Sequence, residues 1–569
     1  MRSRVLCVIM AVAFLTLFVT GCGGSSNDGD RQSTAATTQE AGKTAETTLA
    51  EEKGLEDYTD EMKITAYQGM NYGGPSSGQD TEYAKYVKKR FKINVDEFVW
   101  PAGEDVYQKI GTFIASGDMP DIIQAPVDAK GKVLFNSLAE AGMVLDVEPY
   151  LNQYCPETMK YFTPTILDAY RYVEDNKLYV VPGFAVNPDL KDELTVAVNQ
   201  VLIYREDLLK KIGMDVPKTP DELYNVLKAI KGQKASSGKD IIPFSPLYMG
   251  AEIQGNIGGM FGIQKYHARL NDAEQKLIDM HEGPEYLAYM KYAAKLFREG
   301  LMNPESYSMS WQKLFNELVP NGEVGITVMW PSEILGLNLQ LEKNAPGQKY
   351  LPMPQPKAEG VGNSELGYIS TLGISAIAIS KNVSDPERLF KYINWMSGKE
   401  GWATMVWGPP SKDSGCWYIG DDGKLIDNKE IQDKKIAENP KWTVDVLGSW
   451  AYGLPGILKY TQDLVLDQAR QPEELRKMAK DMYDGEIFMD TIFDIFTTSE
   501  DGPIAKQKRA DVNKIFTERE AKILMNSRTD EQVEEGYNAM MEEAKKAGLQ
   551  EILKEDYQRY QEVKAKYSK

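Results

Sequence analysis

Histidine is nearly missing: 569 residues hold two, His267 and His281, both in Lys/Asp/Glu-rich stretches that read as a surface helix and loop. No HExxH or CxxC metal spacing and no phosphate-cradling loop occurs, so the usual local marks of catalysis are lacking. Carboxylates are abundant, and two acids brought together in space leave no local signature, so a glycosidase stays open. Positive charge is also short. Lys plus Arg number 65 against 84 Asp plus Glu, a formal charge of -19. A nucleic-acid partner, which needs a basic surface, is excluded, and an anionic ligand held by the bulk field is disfavoured. Cysteine is limited to four residues, and beyond Cys7 and Cys22 only Cys155 and Cys416 remain. Outside the cell these two could bridge, but their spacing proves nothing.

Long apolar runs are confined to the N-terminus. Arg2 and Arg4 precede a nearly unbroken apolar stretch from Val5 to Val19. It falls short of the roughly 20 residues a membrane helix needs and fits an export signal. It ends in Val19-Thr20-Gly21-Cys22, an apolar residue, two small ones and a cysteine, the pattern of a bacterial lipobox in which Cys22 carries the lipid. The plainer alternative is a secretory signal with an incidental cysteine. Gly23 to about Glu52 is rich in Gly, Ser, Thr, Ala and Gln, a composition that buries too little to fold and serves as a tether. The mature protein is expected outside the cytoplasmic membrane, held by a lipid.

The body then alternates strand and helix. Met62 to Tyr67 reads as a strand, Asp80 to Phe91 as a helix with Tyr83, Val87 and Phe91 on one face, Ile93 to Phe98 as a strand, Tyr107 to Ala115 as a helix, and Asp121 to Ile123 starts a third strand. This rhythm predicts βαβ units on a parallel sheet, with ligands at the carboxyl ends of the strands. Farther on, Thr219-Pro-Asp-Glu222 is a capping box, followed by the stripe Leu223, Val226, Leu227, Ile230; Ser384-Asp-Pro-Glu387 repeats the grammar. Tyr537 to Ala547 and Leu553 to Val563 read as amphipathic helices.

A series of segments resembles the family 1 extracellular solute-binding proteins of ABC importers. Phe113-Ile-Ala-Ser-Gly-Asp-Met-Pro-Asp-Ile122 is similar to that family's ASGDxPDI signature, and Met143-Val-Leu-Asp-Val-Glu-Pro-Tyr150 and Lys177-Leu-Tyr-Val-Val-Pro182 follow in order. Leu202-Ile-Tyr-Arg-Glu-Asp-Leu-Leu209 through Leu227, Glu323-Val-Gly-Ile326 and Asn394-Trp-Met396 fill further expected places. The long C-terminal part resembles the LipO/LplA-like lipoprotein branch of Gram-positive bacteria. The resemblance implies an α/β, type II, two-lobed periplasmic-binding-protein-like fold with hinged, mostly parallel sheets and extra C-terminal helices. Expected boundaries are 1–21 for the signal, 22–60 for the lipidated cysteine and linker, 62–190 plus 366–404 for lobe 1, and 191–365 plus 405–569 for lobe 2. It also implies a monomeric receptor that delivers its solute to permease subunits rather than an enzyme.

With 31 Tyr and 9 Trp, the ligand is expected to be a carbohydrate, an oligosaccharide in a roomy cleft, since flat rings suit the apolar faces of sugars. Candidate ligand residues are Asn71 and Tyr72 after the first strand, Trp100 at the end of the second, Gln124 and Asp128 after the third, Trp330 ending Val324 to Val328, and Trp407 and Trp450 in later loops. Trp311 is the weakest. Core packing is the competing reading for each ring. Some relatives carry a calcium loop where this chain has Asn187-Pro-Asp-Leu-Lys-Asp192-Glu193; here the oxygen ligands are fewer and Pro188 interrupts them, so a solvated loop without metal or cofactor is expected. A non-sugar solute such as a peptide, and a tethered polysaccharide-active enzyme, are the alternatives.

Overall fold

The computed structural model describes residues 58–69, 81–99, 105–183, 185–189, 200–246, 256–263, 269–310, 313–330, 334–362, 370–438 and 489–568. The chain opens with β1 (Met62–Gln68), α1 (Glu82–Phe91), β2 (Ile93–Val99), α2 (Val106–Ser116), β3 (Ile122–Pro126) and α3 (Ala129–Glu140). Local chemistry sets these limits. Thr81 caps α1 by accepting from Ala84 N, and Asp105 caps α2 by accepting from Tyr107 N and Gln108 N. Tyr83, Val87 and Phe91 are fully buried, as the four-residue spacing predicts. Then come α4 (Glu148–Tyr154), α5 (Pro156–Met159), α6 (Pro164–Tyr170) and β4 (Val181–Gly183).

The chain next builds β5 (Val201–Arg205), α7 (Glu206–Ile212), α8 (Pro220–Ile230), β6 (Ile242–Ser245), β7 (Arg269–Asn271), β8 (Lys276–Ile278), α9 (Pro284–Arg298), β9 (Val324–Met329), α10 (Ile334–Asn344) and β10 (Tyr350–Pro352). The capping box is present: Thr219 Oγ1 accepts from Glu222 N at 3.2 Å, and Glu222 Oε2 accepts from Thr219 N at 3.2 Å. Leu223, Val226, Leu227 and Ile230 beneath it are 1% exposed or less. Each such burial stabilises by about 2 kcal/mol.

It returns through β11 (Ser375–Ile379), α11 (Pro386–Ser397), α12 (Lys399–Trp407), β12 (Trp417–Ile419), β13 (Leu425–Asp427) and α13 (Lys429–Glu438). The cap of α11 is Asp385, which accepts from Arg388 N, and not Ser384. The C-terminal helices are α14 (Thr491–Thr498), α15 (Pro503–Asn526), α16 (Asp530–Ala547) and α17 (Leu549–Tyr567).

Two sheets result, ordered β2-β1-β3-β11-β4 and β10-β5-β9-β6. They are mixed, where mostly parallel pairing was expected. β1 runs parallel to β2 and β3, and β6 to β9, but β11 is antiparallel to β3 and β4, and β5 to β9 and β10. The reason is the crossing: β11 enters the first sheet from the other lobe and therefore runs against its neighbours. The crossing segments touch, with Val186 N donating to Thr371 O at 3.0 Å.

The C-terminal helices make contacts on both sides of the crossing. α15 and α16 pack on α9. Asp494 of α14 instead accepts from Thr371 N at 2.7 Å and Thr371 Oγ1 at 2.8 Å, at the crossing, and Lys132 of α3 donates to Thr498 Oγ1 at 2.9 Å.

A further expectation fails. His281 is buried, not on the surface: its ring stacks on Phe516 at 3.6 Å between centroids, and Nδ1 lies 2.5 Å from Asp279 Oδ1. The polar stretch around it is covered by α15, which the local sequence does not reveal. Cys155 and Cys416, whose bridging the sequence left open, are both buried and not joined by a disulfide. Cys155 Sγ donates to Phe390 O at 3.2 Å, and burial pushes its thiol up to about 12, which disfavours a reactive thiolate there.

Candidate functional site

At the carboxyl end of β3 the chain turns into α3 through Asp128. Its Oδ1 accepts from Gly131 N at 2.9 Å, capping the helix, and its Oδ2 accepts from Tyr107 OH of α2 at 2.5 Å. Residue 131 has to be glycine, because a Cβ there would sit 1.9 Å from Pro126 O. That close approach fixes where Asp128 points.

Asp128 and Tyr107 form one wall of a crevice of about 440 Å³; the other wall is supplied by Phe496, Asp501, Arg509, Asp556 and Arg559 of the C-terminal segment. Arg509 Nη2 donates to both Asp556 oxygens at 2.9 and 2.8 Å, and its Nε to Asp501 at 3.1 Å. Arg559 donates to Asp556 Oδ1 at 2.9 Å and Ser499 Oγ at 2.7 Å, with its guanidinium over the Phe496 ring. Burial works against the Arg509 charge, but Asp556 and Asp501 more than offset it, so its pKa stands above the ordinary arginine value. Acids and guanidiniums are thus matched. Held in place, they offer paired acceptors and donors suited to neighbouring hydroxyls.

A second cavity, of about 550 Å³, lies on the other side of the contact between α3 and α14. Ala129 and Ser499 line both.

The expected site residues scatter. Asp128 lies in the crevice. Gln124 does not follow β3 but sits within it, fully buried, paired in register with Gln68 and Ile377 and donating to Ser375 Oγ at 3.4 Å. It lies inside the sheet because β3 runs on to Pro126, three residues past the Asp121 to Ile123 stretch expected to start it. Trp330 directly follows β9, half-buried against the second lobe's core, and lines neither cavity. Trp407 ends α12 and is 1% exposed, a core ring with no open face. Asn71, Tyr72, Trp100, Trp311, Trp450 and Cys22 lie outside the described residues. So do Asp192 and Glu193; Asn187, at the start of the same stretch, accepts from Asp189 N and donates to Lys160 O. Among the described residues no three His, Cys, Asp or Glu side chains group as metal ligands, and no helix is long and apolar enough to cross a membrane. Sequence reasoning missed Tyr107 and Arg559, whose helices were read without a site role, and Arg509, whose helix was not read at all; the sole local hint is the spacing of Asp556 and Arg559, three apart.

Residues 74–401 match the family model described as bacterial extracellular solute-binding protein. The chain belongs to this family. It is 29% identical over 223 residues to the fructooligosaccharide ABC transporter substrate-binding protein FusA of Streptococcus pneumoniae serotype 4, a match spanning 36% of this chain and 39% of FusA. It is 23% identical over 497 residues to lipoprotein LipO of Bacillus subtilis strain 168, covering 84% of this chain and 88% of LipO. Among solved structures, alginate-binding protein AlgQ2 without calcium aligns with a TM-score of 0.63 at 18% identity, over 89% of this chain and 99% of AlgQ2. FusA in complex with kestose aligns at 0.61 and 19% identity, over 89% of this chain and 100% of FusA. At such identity the likeness is one of fold, the type II two-lobed architecture. This protein is therefore a bacterial extracellular solute-binding protein by family, with that fold.

Proposed function

We propose that this protein captures an oligosaccharide between its lobes and passes it to an ABC permease, as a monomer tethered by lipid on Cys22, without metal and without catalysing a reaction. The observation that carries this is the crevice itself: Asp128 and Tyr107 face the Arg509–Asp556–Arg559 network, a set of fixed acceptors and donors. Asp501 and Asp556 are engaged by Arg509 and Arg559, an arrangement that supports recognition of hydroxyls. FusA and AlgQ2, named for fructooligosaccharides and alginate, support the sugar class.

A thermal-shift screen against a glycan panel tests the reading, since a ligand that binds only the folded state raises Tm. An oligosaccharide that raises Tm, survives incubation intact and binds tenfold or more weakly to Asp128→Asn is the expected result; the amide keeps the helix cap but loses a charge-assisted hydrogen bond. New reducing ends would instead mark an enzyme, and a Tm response to peptides alone would mark a non-sugar receptor. Trp330 lines neither cavity and packs on the core, so Trp330→Ala should lower Tm while leaving affinity for the same ligand near the wild-type value. A loss of about 2 kcal/mol in binding, roughly thirtyfold, with a near-normal Tm would instead extend the site to Trp330. Cys22→Ala should move the protein from the membrane to the soluble fraction with unchanged affinity.

A further inference from the structure

The second cavity holds a charge that the fold leaves without a counter-ion. Lys132, one turn into α3, donates through Nζ to Thr498 Oγ1 at 2.9 Å and, weakly, to Ala169 O at 3.4 Å, and lies 5.5 Å from the centre of the Tyr170 ring. No carboxylate pairs with it among the described residues. The other charged groups facing the chamber are occupied or at its rim. Arg171 is bound to Glu148 and Asp168, Glu500 to Lys506, and Asp494 to Thr371. Glu562 and Lys566 are exposed at the mouth on α17. Burial alone lowers the Lys132 pKa to about 8. An ammonium has three protons to place, and two neutral oxygens do not compensate its desolvation.

We propose that this chamber is a subsite for a carboxylate-bearing sugar residue, a uronate carried by the bound oligosaccharide, with Lys132 as its counter-ion. The inference rests on the oligosaccharide reading above and deepens it. The shared lining at Ala129 and Ser499 makes the chamber a neighbour of the crevice, so one chain of sugars can reach both. Tyr170 and Tyr172 offer rings, Asn136 offers amide partners, and about 550 Å³ lies within the range of small-ligand sites. A single lysine suits one negative charge. A phosphate dianion would meet the rim acids Asp168, Glu500 and Glu562 with no free guanidinium to hold it. The strongly acidic chain is no obstacle, because the carboxylate is held by one local cation rather than by the overall field.

The test reads Lys132 directly. Reductive methylation followed by peptide mass spectrometry, across pH, reports its reactivity in the full-length protein with sodium glucuronate, sodium acetate or glucose present. Glucuronate should protect Lys132 and raise its apparent pKa by about one unit or more, while glucose leaves it unchanged and acetate acts far more weakly. By calorimetry, glucuronate affinity should be flat below pH 8 and fall about tenfold per unit above it, as the ammonium is lost. Lys132→Met should lose at least tenfold of that affinity, and Thr498→Val, which keeps the ammonium, should retain it. Equal protection by acetate would reduce the chamber to a generic anion contact and overturn the proposal, as would glucuronate without effect or Lys132→Met with wild-type affinity. If a neutral glycan binds while uronates leave Lys132 untouched, the subsite falls and the oligosaccharide receptor stands. If uronates protect Lys132 but no longer glycan binds, the carboxylate site stands and the oligosaccharide reading falls.

Discussion

The crevice and the chamber flank the same contact between α3 and α14, yet they treat charge in opposite ways. In the crevice Arg509 and Arg559 are matched to Asp501 and Asp556 at 2.8 to 3.1 Å. Four residues along the helix from Asp128, Lys132 has a hydroxyl and a distant carbonyl but, among the described residues, no acid. A matched network is stable without ligand and presents its remaining valences to neutral hydroxyls. An unmatched buried charge is a standing penalty that a bound anion would relieve. Adjacent surfaces of one fold can thus be built for rest and for ligand.

Substitutions that alter the balance on each side test this contrast. The largest effect is expected from Asp494→Ala. Asp494 is 3% exposed and accepts both Thr371 N and Thr371 Oγ1, so its loss strands a buried backbone donor at the crossing and should cost about 3 kcal/mol in urea unfolding. A cost below about 1 kcal/mol would mean that α14 does not anchor the crossing. Lys132→Met should act in the other direction, stabilising the ligand-free protein by about 1 kcal/mol at pH 7 because it removes an unpaired, half-buried charge. The pH dependence follows from the lowered pKa. Between about 8 and the unfolded value near 10.4 the unfolded chain binds more protons at this site, so wild-type stability from Lys132 rises with pH. The mutant's advantage should therefore be complete below pH 8 and gone by about pH 10; an advantage that persists there would show that packing, not charge, is responsible. The smallest effect is expected for Tyr107→Phe, which removes one hydrogen bond from Asp128 at the open edge of the crevice. About 0.5 to 1 kcal/mol of stability is expected, with Asp128 still held by Gly131 N. A larger loss would make that hydroxyl essential for placing the acid.

Much of the fold was legible because its determinants are local. The boundaries of α1, α2 and α8 follow from caps at Thr81, Asp105 and Thr219 and from apolar spacing beneath them. The strand order was not. β11 arrives from the other lobe to pair with β3 about 250 residues away, a partnership no local pattern encodes. The site was read unevenly for the same reason. Asp128 stood out since it follows a strand and precedes a helix. Gln124, two residues before the strand's end, has the same polar look but faces the sheet interior. His281 shows that a polar side chain in a mixed segment takes its environment from the helix that lands on it.

By itself the sequence determined the elements, the family and one acid of the crevice, because caps, glycine turns and apolar periodicity act over three or four residues. The tertiary structure alone decided which charges meet. Arg509 and Arg559 lie more than 370 residues from Asp128, and Thr498 lies 366 from Lys132. Whether such groups end as a matched network or a lone cation depends on how α14, α15 and α17 settle against α3, and that is a property of packed surfaces rather than of neighbouring residues.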